Sequence, residues 1–323
     1  MATTQTPTFI QQHQIDDRAL AQEAAAGLCQ SQAQVSPKFF YDSLGSCLFD
    51  AICELPEYYP TRTEATILLA NRSDIAEAVL ARTGAAPSLI DLGAGNCAKG
   101  ERLFGRLAPR RYVAVDISVE FLRQALNRLQ REHPALDLVG LGQDFSSQLQ
   151  LPPHLQDGPA LVFYPGSSIG NFAPDAARSL LRQAREAAQG GAMLIGVDLV
   201  KAVSLLEPAY DDALGVTAAF NLNLLSHLNR LLGADFKIAD WRHLALFNNV
   251  ASRIEMRLVA RHAVTVHWPG GERQFATDER IHTENSYKWK IDSFSALLRE
   301  AGFAQVQHWT DAQGWFGVFL ASD

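Results

Sequence analysis

Cysteine is scarce in this sequence: four in 323 residues, Cys29, Cys47, Cys53 and Cys97. Their spacing fits neither a metal-ligand set nor a disulfide framework for so long a chain, and they read as reduced thiols of a cytosol-like compartment. No apolar run reaches the roughly 18 residues of a membrane-spanning helix. The opening Met1-Ala2-Thr3-Thr4-Gln5-Thr6-Pro7 has neither the basic nor the apolar segment of a secretory leader. The expectation is a cytoplasmic protein without a membrane partner. Positive charge is lacking too, since 28 Lys and Arg stand against 35 Asp and Glu, a net charge of −7. Nucleic-acid binders usually show the opposite balance, so no nucleic-acid partner is expected. His133, His154, His227, His243, His262, His267, His282 and His308 show no metal-ligand spacing, and no metal is expected.

What is present is apolar: 47% of residues, with only 20% charged, which excludes a chain disordered throughout. The length suits about two average domains. Residues 1–12 are polar and read as a disordered tail. Arg18 to Leu28 reads as a short helix. Phe39 to Ser46 and Leu55 to Arg62 concentrate aromatics among Gly and Pro, and are expected as a packed loop that carries function. A helical pattern covers Thr63 to Arg82.

An α/β alternation follows. Ser88–Leu92, Tyr112–Asp116, Leu136–Leu141, Ala160–Tyr164 and Met193–Asp198 are short apolar strands, separated by helical stretches such as Ser118–Arg131. Continuous apolar strands between helices indicate a parallel sheet covered on both faces. After Lys201 the rhythm changes to a helix over about 215–232 and a β-rich block from His243 to Trp268. The sheet pattern resumes at Ile291 with a helix, and Phe303 to Leu320, broken at Asp311–Gly314, reads as an antiparallel hairpin.

Asp91-Leu92-Gly93-Ala94-Gly95 stands where a first strand meets a first helix, at the ligand edge of an open α/β sheet. Glycines there let the backbone approach a ligand. Asp116 ends the next strand 21 residues beyond Gly95, where a carboxylate can grip two ribose hydroxyls. A dinucleotide would share this geometry, and Ala98 at the third glycine position is tolerated in the looser fingerprint, so the glycine turn leaves both cofactors open. Asp144-Phe145 after the third strand favours S-adenosylmethionine: a carboxylate for the adenine amine beside an aromatic for its ring face.

The remaining polar and aromatic groups include Tyr41, Phe49, the 55–62 segment, Gly166 to Asn171, Tyr210, Met256 and Thr283 to Ser286. Through FYDSLGSCLFDAI, LPEYYPTRTEATIL, DLGAGNCAKG, GSSIGNF, AYDDALGVTAAFN, RIEMRL and TENSYKW, the chain closely resembles the bacterial L-histidine Nα-methyltransferases of ergothioneine biosynthesis, from about residue 36 to 320. The resemblance implies an α/β fold: a Rossmann-like class I methyltransferase sheet over 64–200 and 288–323, with a discontinuous α+β substrate domain over 13–63 and 201–287. It implies cofactor roles for Tyr58, Gly93, Lys99, Asp116, Asp144 and Phe145. It places Asn171 and Tyr210 at the substrate carboxylate, Glu284 and Ser286 at the imidazole, and Tyr41, Phe49, Tyr58, Gly166 and Met256 around them. Tyr41 and Asn171 are the candidates for steering the reacting amine. The implied reaction is trimethylation of the α-amine of L-histidine, through its mono- and dimethylated forms, to hercynine by a monomeric enzyme.

The residue chemistry is consistent with that implication. Glu284 and Ser286 are two apart, so in a strand they share a face. A carboxylate accepts from one imidazole nitrogen, and a hydroxyl serves the other as donor or acceptor. Asn171 and Tyr210 offer uncharged donors to a carboxylate. Taken singly, Tyr41, Tyr58 and Tyr210 are ordinary core tyrosines, Met256 is core filler and Lys99 a surface lysine. The rival readings are the same chemistry on tryptophan and a non-catalytic S-adenosylmethionine-binding module.

Overall fold

The computed structural model describes residues 5–11 and 17–323. In chain order the elements begin with β1 (Thr8–Gln11), α1 (Asp17–Leu28), α2 (Ser43–Cys53), α3 (Tyr59–Ala70) and α4 (Arg72–Thr83). Then follow β2 (Ser88–Leu92), α5 (Ala98–Leu107), β3 (Arg111–Asp116), α6 (Val119–Glu132), β4 (Asp137–Gly142), β5 (Ala160–Tyr164), α7 (Pro174–Ala187) and β6 (Ala192–Asp198). Next come α8 (Val203–Leu206), α9 (Val216–Leu232), β7 (Trp241–Asn248), β8 (Arg253–Ala260), β9 (Val264–Trp268), β10 (Gly271–Phe275) and β11 (Arg280–Tyr287). The last are α10 (Ile291–Glu300), β12 (Gln305–Thr310) and β13 (Phe316–Ser322).

The chain divides into two compact units, one of Met1–His13, Pro60–Val200 and Lys288–Asp323, the other of Gln14–Tyr59 and Lys201–Tyr287. The division at Tyr59/Pro60 falls at the start of α3, a few residues before the 63/64 boundary that the resemblance implies, and α3 runs without a break from the one position to the other.

In the first unit an eight-stranded sheet has the order β1-β4-β3-β2-β5-β6-β13-β12. It is parallel from β1 to β6, while β13 runs antiparallel to both β6 and β12. Alternate residues of each strand feed opposite layers. Ile90, Leu92, Val113 and Val115 join Leu180, Leu181, Phe294 and Leu297 of α7 and α10. Leu89, Tyr112 and Ala114 join Val79, Phe104, Leu122 and Leu126 of α4, α5 and α6. Burial on both faces is why these strands read as unbroken apolar runs.

The expected disordered tail is not one throughout. Thr8–Gln11 is an edge strand in register with Val139–Gly142. Phe9 finds room because residue 140 is glycine: a Cβ there would lie 2.8 Å from the Phe9 ring. The Arg123 guanidinium lies over that ring, 4.3 Å from its centroid. Residues 1–4 and 12 of the expected tail lie outside the described residues.

The second unit has a three-stranded antiparallel sheet, β11-β8-β7, a separate β9–β10 hairpin, and α9 packed against α2, α1 and the sheet. Phe220, Leu224, Leu225 and Leu228 form the buried stripe of α9. The aromatic-rich stretch expected as a loop is partly helical: a 3-10 turn over Pro37–Phe40, then α2, with α3 beginning at Tyr59, while Leu55–Tyr58 between α2 and α3 is the expected loop. Asp42 caps α2 by accepting from the Gly45 N–H at 2.7 Å, a helix-start signal that the aromatics mask. Gly45 is required there, since a Cβ would fall 1.7 Å from the Phe40 carbonyl oxygen. The 63–82 helix is two helices, broken at Asn71, whose side chain donates to the Ile67 carbonyl at 2.9 Å. Among the described residues no helix is long and apolar enough to cross a membrane.

Candidate active site

In the first unit the expected residues gather at the carboxyl ends of parallel strands, the ligand edge of such sheets. Gly93 and Gly95 follow β2 with φ of 67° and 53°, a left-handed turn that glycine adopts without strain. The Gly93 and Ala94 N–H groups donate to the Val115 carbonyl, which ties this turn to β3. Asp116 ends β3: Oδ2 accepts from Gly95 N–H and Oδ1 from Ser118 N–H, each at 2.8 Å. A carboxylate has about four acceptor directions, so this one keeps capacity for ligand hydroxyls. Burial pushes its pKa up, against the pull of the Ser118, Gly95 and Ile117 N–H groups.

Asp144 and Phe145 follow β4. Asp144 Oδ1 accepts from the Ser146 N–H at 3.1 Å and, closely, from its hydroxyl. The Phe145 ring meets Tyr164 edge-on at 5.8 Å. It also overhangs the glycine turn, for a Cβ on Gly93 would lie 3.8 Å from its Cζ. An open glycine turn, an acid on the adjoining strand and an aromatic ring over the turn form a cradle that fits an adenosine ligand.

Lys99, in the first turn of α5, pairs with Glu64 at 2.9 Å. Gly166 follows β5 and donates its N–H to the same Glu64 at 2.8 Å. Asn171 closes the short turn over Ser168–Asn171. The sequence pattern does not single out Glu64; an acid beside the run Ala65–Leu69 is a signal, but it names no partner.

The second unit brings together Tyr41, Phe49, Tyr58, Tyr210, Met256, Glu284 and Ser286. Ring centroids run Tyr41–Phe49 at 5.8 Å, Phe49–Tyr58 at 6.2 Å and Tyr58–Tyr210 at 6.2 Å. Tyr210 and Ser286 share a buried hydroxyl hydrogen bond of 2.8 Å. Glu284 stands opposite Met256 across β11 and β8, and Ser286 opposite Ile254. Glu284, Ser286 and Met256 are all buried. Burial, then the charges that Tyr210, Cys53, Tyr41 and Glu284 would add, hold the Tyr58 phenol well above its ordinary pKa. Tyr58 is therefore a neutral hydrogen-bond donor at physiological pH. Of the expected site residues, Gly93, Lys99, Asp116, Asp144, Phe145, Gly166 and Asn171 belong to the first unit and the other seven to the second.

His243, which no sequence motif marks, lies under Tyr210. Its Nδ1 faces the Asn221 amide at 2.8 Å and its Nε2 the Tyr210 carbonyl at 2.8 Å. The Asn221 Nδ2 also donates to the Arg257 carbonyl, which fixes it as donor and His243 as the Nε2–H tautomer. Elsewhere Glu101, Glu132 and His133 converge within 4.8 Å. Arg128 already bridges the two glutamates at 3.1 and 2.8 Å, so the grouping is an ion-pair network.

An open sheet with an antiparallel strand inserted next to β6, and an adenosine cradle at its strand ends, defines a class I S-adenosylmethionine-dependent methyltransferase. The comparisons with known proteins narrow the class. Residues 20–323 match the S-adenosylmethionine-dependent histidine-specific methyltransferases, and the chain belongs to that family. Histidine N-alpha-methyltransferase of Mycolicibacterium smegmatis is 41% identical over 310 residues, covering 94% of each chain. That of Mycobacterium tuberculosis is 38% identical over 311 residues, 94% of this chain and 95% of the relative. Ergothioneine biosynthesis protein 1 of Neurospora crassa is 30% identical over 285 residues, 86% of this chain and 32% of that larger protein.

Proposed function

We propose that this protein methylates the α-amine of L-histidine three times, through the mono- and dimethylated forms, to give hercynine in ergothioneine biosynthesis. The observation that carries the reading is the buried polar group of the second unit: Glu284 beside the Tyr210–Ser286 hydrogen bond, ringed by Tyr41, Phe49 and Tyr58. An anionic acceptor and a hydroxyl on one strand face suit the two ring nitrogens of imidazole, whereas an indole has one N–H and would leave a polar partner unsatisfied.

In this reading the first unit is the donor-binding core and the second the substrate domain. Asp116 takes the ribose hydroxyls, Asp144 and Phe145 the adenine, and Gly93, Lys99 and Tyr58 the amino-acid end of the donor. Asn171 and Tyr210 take the histidine carboxylate, Gly166 and Met256 bound the site, and Tyr41 with Asn171 steers the amine. When bound, S-adenosylmethionine supplies an electrophilic methyl group on its sulfonium. The chain's own contribution is positioning, the largest lever for such a displacement. A dedicated base is unnecessary, since an α-amine of pKa about 8 is partly unprotonated in neutral solution and can bind in that form. Tyr58, held protonated, orients and does not abstract. The reading includes a monomer in the cytoplasm, its oligomeric state checked by light scattering, and no nucleic-acid partner, which the net charge of −7 supports.

The deciding experiment is mass spectrometry of products after incubation with S-adenosylmethionine and the twenty amino acids. Mono-, di- and trimethylated histidine, modified only at the α-nitrogen, is the expected result. Ring methylation, or folded protein that binds the donor without turning histidine over, overturns the reading.

A further inference from the structure

Glu64 is only 1% exposed, an unusual place for a carboxylate, and the roles above do not use it. Its two oxygens have separate duties. Oε1 accepts from the Gly166 N–H at 2.8 Å, and Oε2 holds the Lys99 ammonium at 2.9 Å. The chain clears space for this arrangement in two places. A Cβ on Gly196, in β6, would lie 1.9 Å from Glu64 Oε1, and a Cβ on Gly166 would lie 2.9 Å from Lys99 Nζ. A buried carboxylate without such partners would be strongly unfavourable. The converse holds for Lys99, whose charge is balanced at contact distance by Glu64. Asp91 also feels Lys99, but burial pushes that carboxyl up to about 7, so it is a weaker counter-charge.

We infer that Glu64 is a positioning residue of the donor site, one that fixes Lys99 and the Gly166 turn together and cancels the lysine charge so that a cationic donor is not disfavoured against its neutral product. The inference rests on the reading of Lys99 as a donor contact. S-adenosylmethionine carries one positive charge more than S-adenosylhomocysteine, so an uncompensated Lys99 would repel the donor and not the product. The consequence is selectivity between two ligands of nearly identical shape, which a purely structural role for Glu64 would leave alone.

Calorimetry with each ligand, on wild type, Glu64→Gln, Glu64→Asp, Lys99→Met and the Glu64→Gln/Lys99→Met double variant, separates the cases. Glu64→Gln keeps the shape and loses the charge. The ratio of donor to product dissociation constants should then rise about five- to tenfold, the scale of one added charge nearby at intermediate dielectric. Glu64→Asp keeps the charge, and its ratio should stay within about twofold of wild type even if both ligands bind more weakly. The double variant, neutral at both positions, should restore the wild-type ratio. If Glu64→Gln weakens both ligands equally, or neither, Glu64 is a structural residue and the inference is wrong. If Lys99→Met leaves both affinities unchanged, the assignment of Lys99 to the donor fails, and the inference fails with it.

Discussion

Both units shift titratable groups toward their neutral forms, but the groups are of opposite kinds. The first unit buries an acid. Asp91, 1% exposed, accepts from the Tyr112 hydroxyl at 2.7 Å, and burial pushes its pKa up to about 7. The second holds two histidines, His243 with its side chain almost wholly buried and His282 half-buried. Burial lowers the pKa of His243 and pushes that of His282 down to about 4. The difference teaches that these groups make the stability of their units respond to pH in opposite directions. For Asp91 the folded value exceeds the unfolded one, about 3.9, so the folded state holds the extra proton between them. Its contribution is full below about 4 and is lost as pH rises through 7. For the histidines the folded values lie below about 6.5, the unfolded state takes up the proton first, and stability is lost as pH falls from there.

The comparison is tested hardest where the first unit buries an acid and a base in contact with each other. Lys288 Nζ lies 2.8 Å from Asp198 Oδ2, with both side chains essentially inaccessible. Lys288→Met strips the buried carboxylate of its counter-charge and should cost about 3–5 kcal/mol. Hydrogen exchange at the amides of β6 and β13 reads that loss within the first unit. A loss below about 1 kcal/mol would show that Asp198 has neutralised itself by taking up a proton, as Asp91 does.

Asp91 itself gives the next effect. Between pH 5 and 8 the wild-type first unit should lose about 2–3 kcal/mol relative to Asp91→Asn, because each tenfold change in proton affinity is worth about 1.4 kcal/mol. Asparagine can still accept from Tyr112, and the second carboxylate oxygen, which lacks a hydrogen-bond partner, becomes an amide nitrogen. Exchange at β2 and β3, corrected for intrinsic rate, measures the difference. Parallel pH curves for the two proteins would mean that Asp91 is ionised in the folded state.

The two units were also unequally legible in the sequence. Strands buried on both faces announce themselves as runs such as Ala160–Tyr164, and the edge rule for open sheets then locates Gly93, Asp116 and Asp144. In the second unit the aromatics of residues 39–46 suggest a loop, although Asp42 caps a helix there, because composition outweighs a single capping residue. Thr8–Gln11 is too short to read as a strand until Gly140 admits Phe9. Partners far apart along the chain are hidden altogether. Glu64 meets residues 35 and 102 positions away, and His243 meets residues 22 and 33 positions away. Periodicity shows that such a residue is buried or exposed; the fold alone supplies its counterpart.

The sites sharpen the same contrast. In the proposed reading the first unit spreads donor recognition over Asp116, Asp144, Phe145, Lys99 and the glycine turn, while the second reads the imidazole through Glu284 and Ser286, so a single truncation should remove more recognition from the second. Glu284→Ala deletes a buried acceptor and should raise the Michaelis constant for histidine about ten- to a hundredfold, or about 1.5–3 kcal/mol. Donor affinity should change less than about twofold, a split that separates lost recognition from general damage. Adding Met256→Val should move the ratio of specificity constants toward tryptophan, because specificity is a difference of affinities. A fixed ratio in a folded double variant would remove both residues from the imidazole site.

The smallest effect belongs to His243, and it tests the base side of the comparison directly. Glutamine can reproduce both ring contacts: its amide N–H donates to the Tyr210 carbonyl as Nε2–H does, and its oxygen accepts from Asn221 as Nδ1 does. At pH 8, where the imidazole is neutral, His243→Gln should stay within about 1 kcal/mol of wild type, the worth of one ordinary hydrogen bond. Its Michaelis constant for histidine should be unchanged there. Below about pH 6.5 the two proteins should part, because the wild type must keep His243 unprotonated to stay folded and the variant has nothing to titrate. Asp211, 3.9 Å from Nε2, and Asp212 pull the other way and limit the gap, and His282 keeps its own acid sensitivity in both proteins. The variant should therefore lose part, not all, of the second unit's acid lability, read as slower exchange in β7 and α9 at pH 5. Identical acid profiles would show that His243 accepts a proton without cost, with Asn221 turning its oxygen toward the ring, and the opposition between a buried acid and a buried base would then rest on His282 alone.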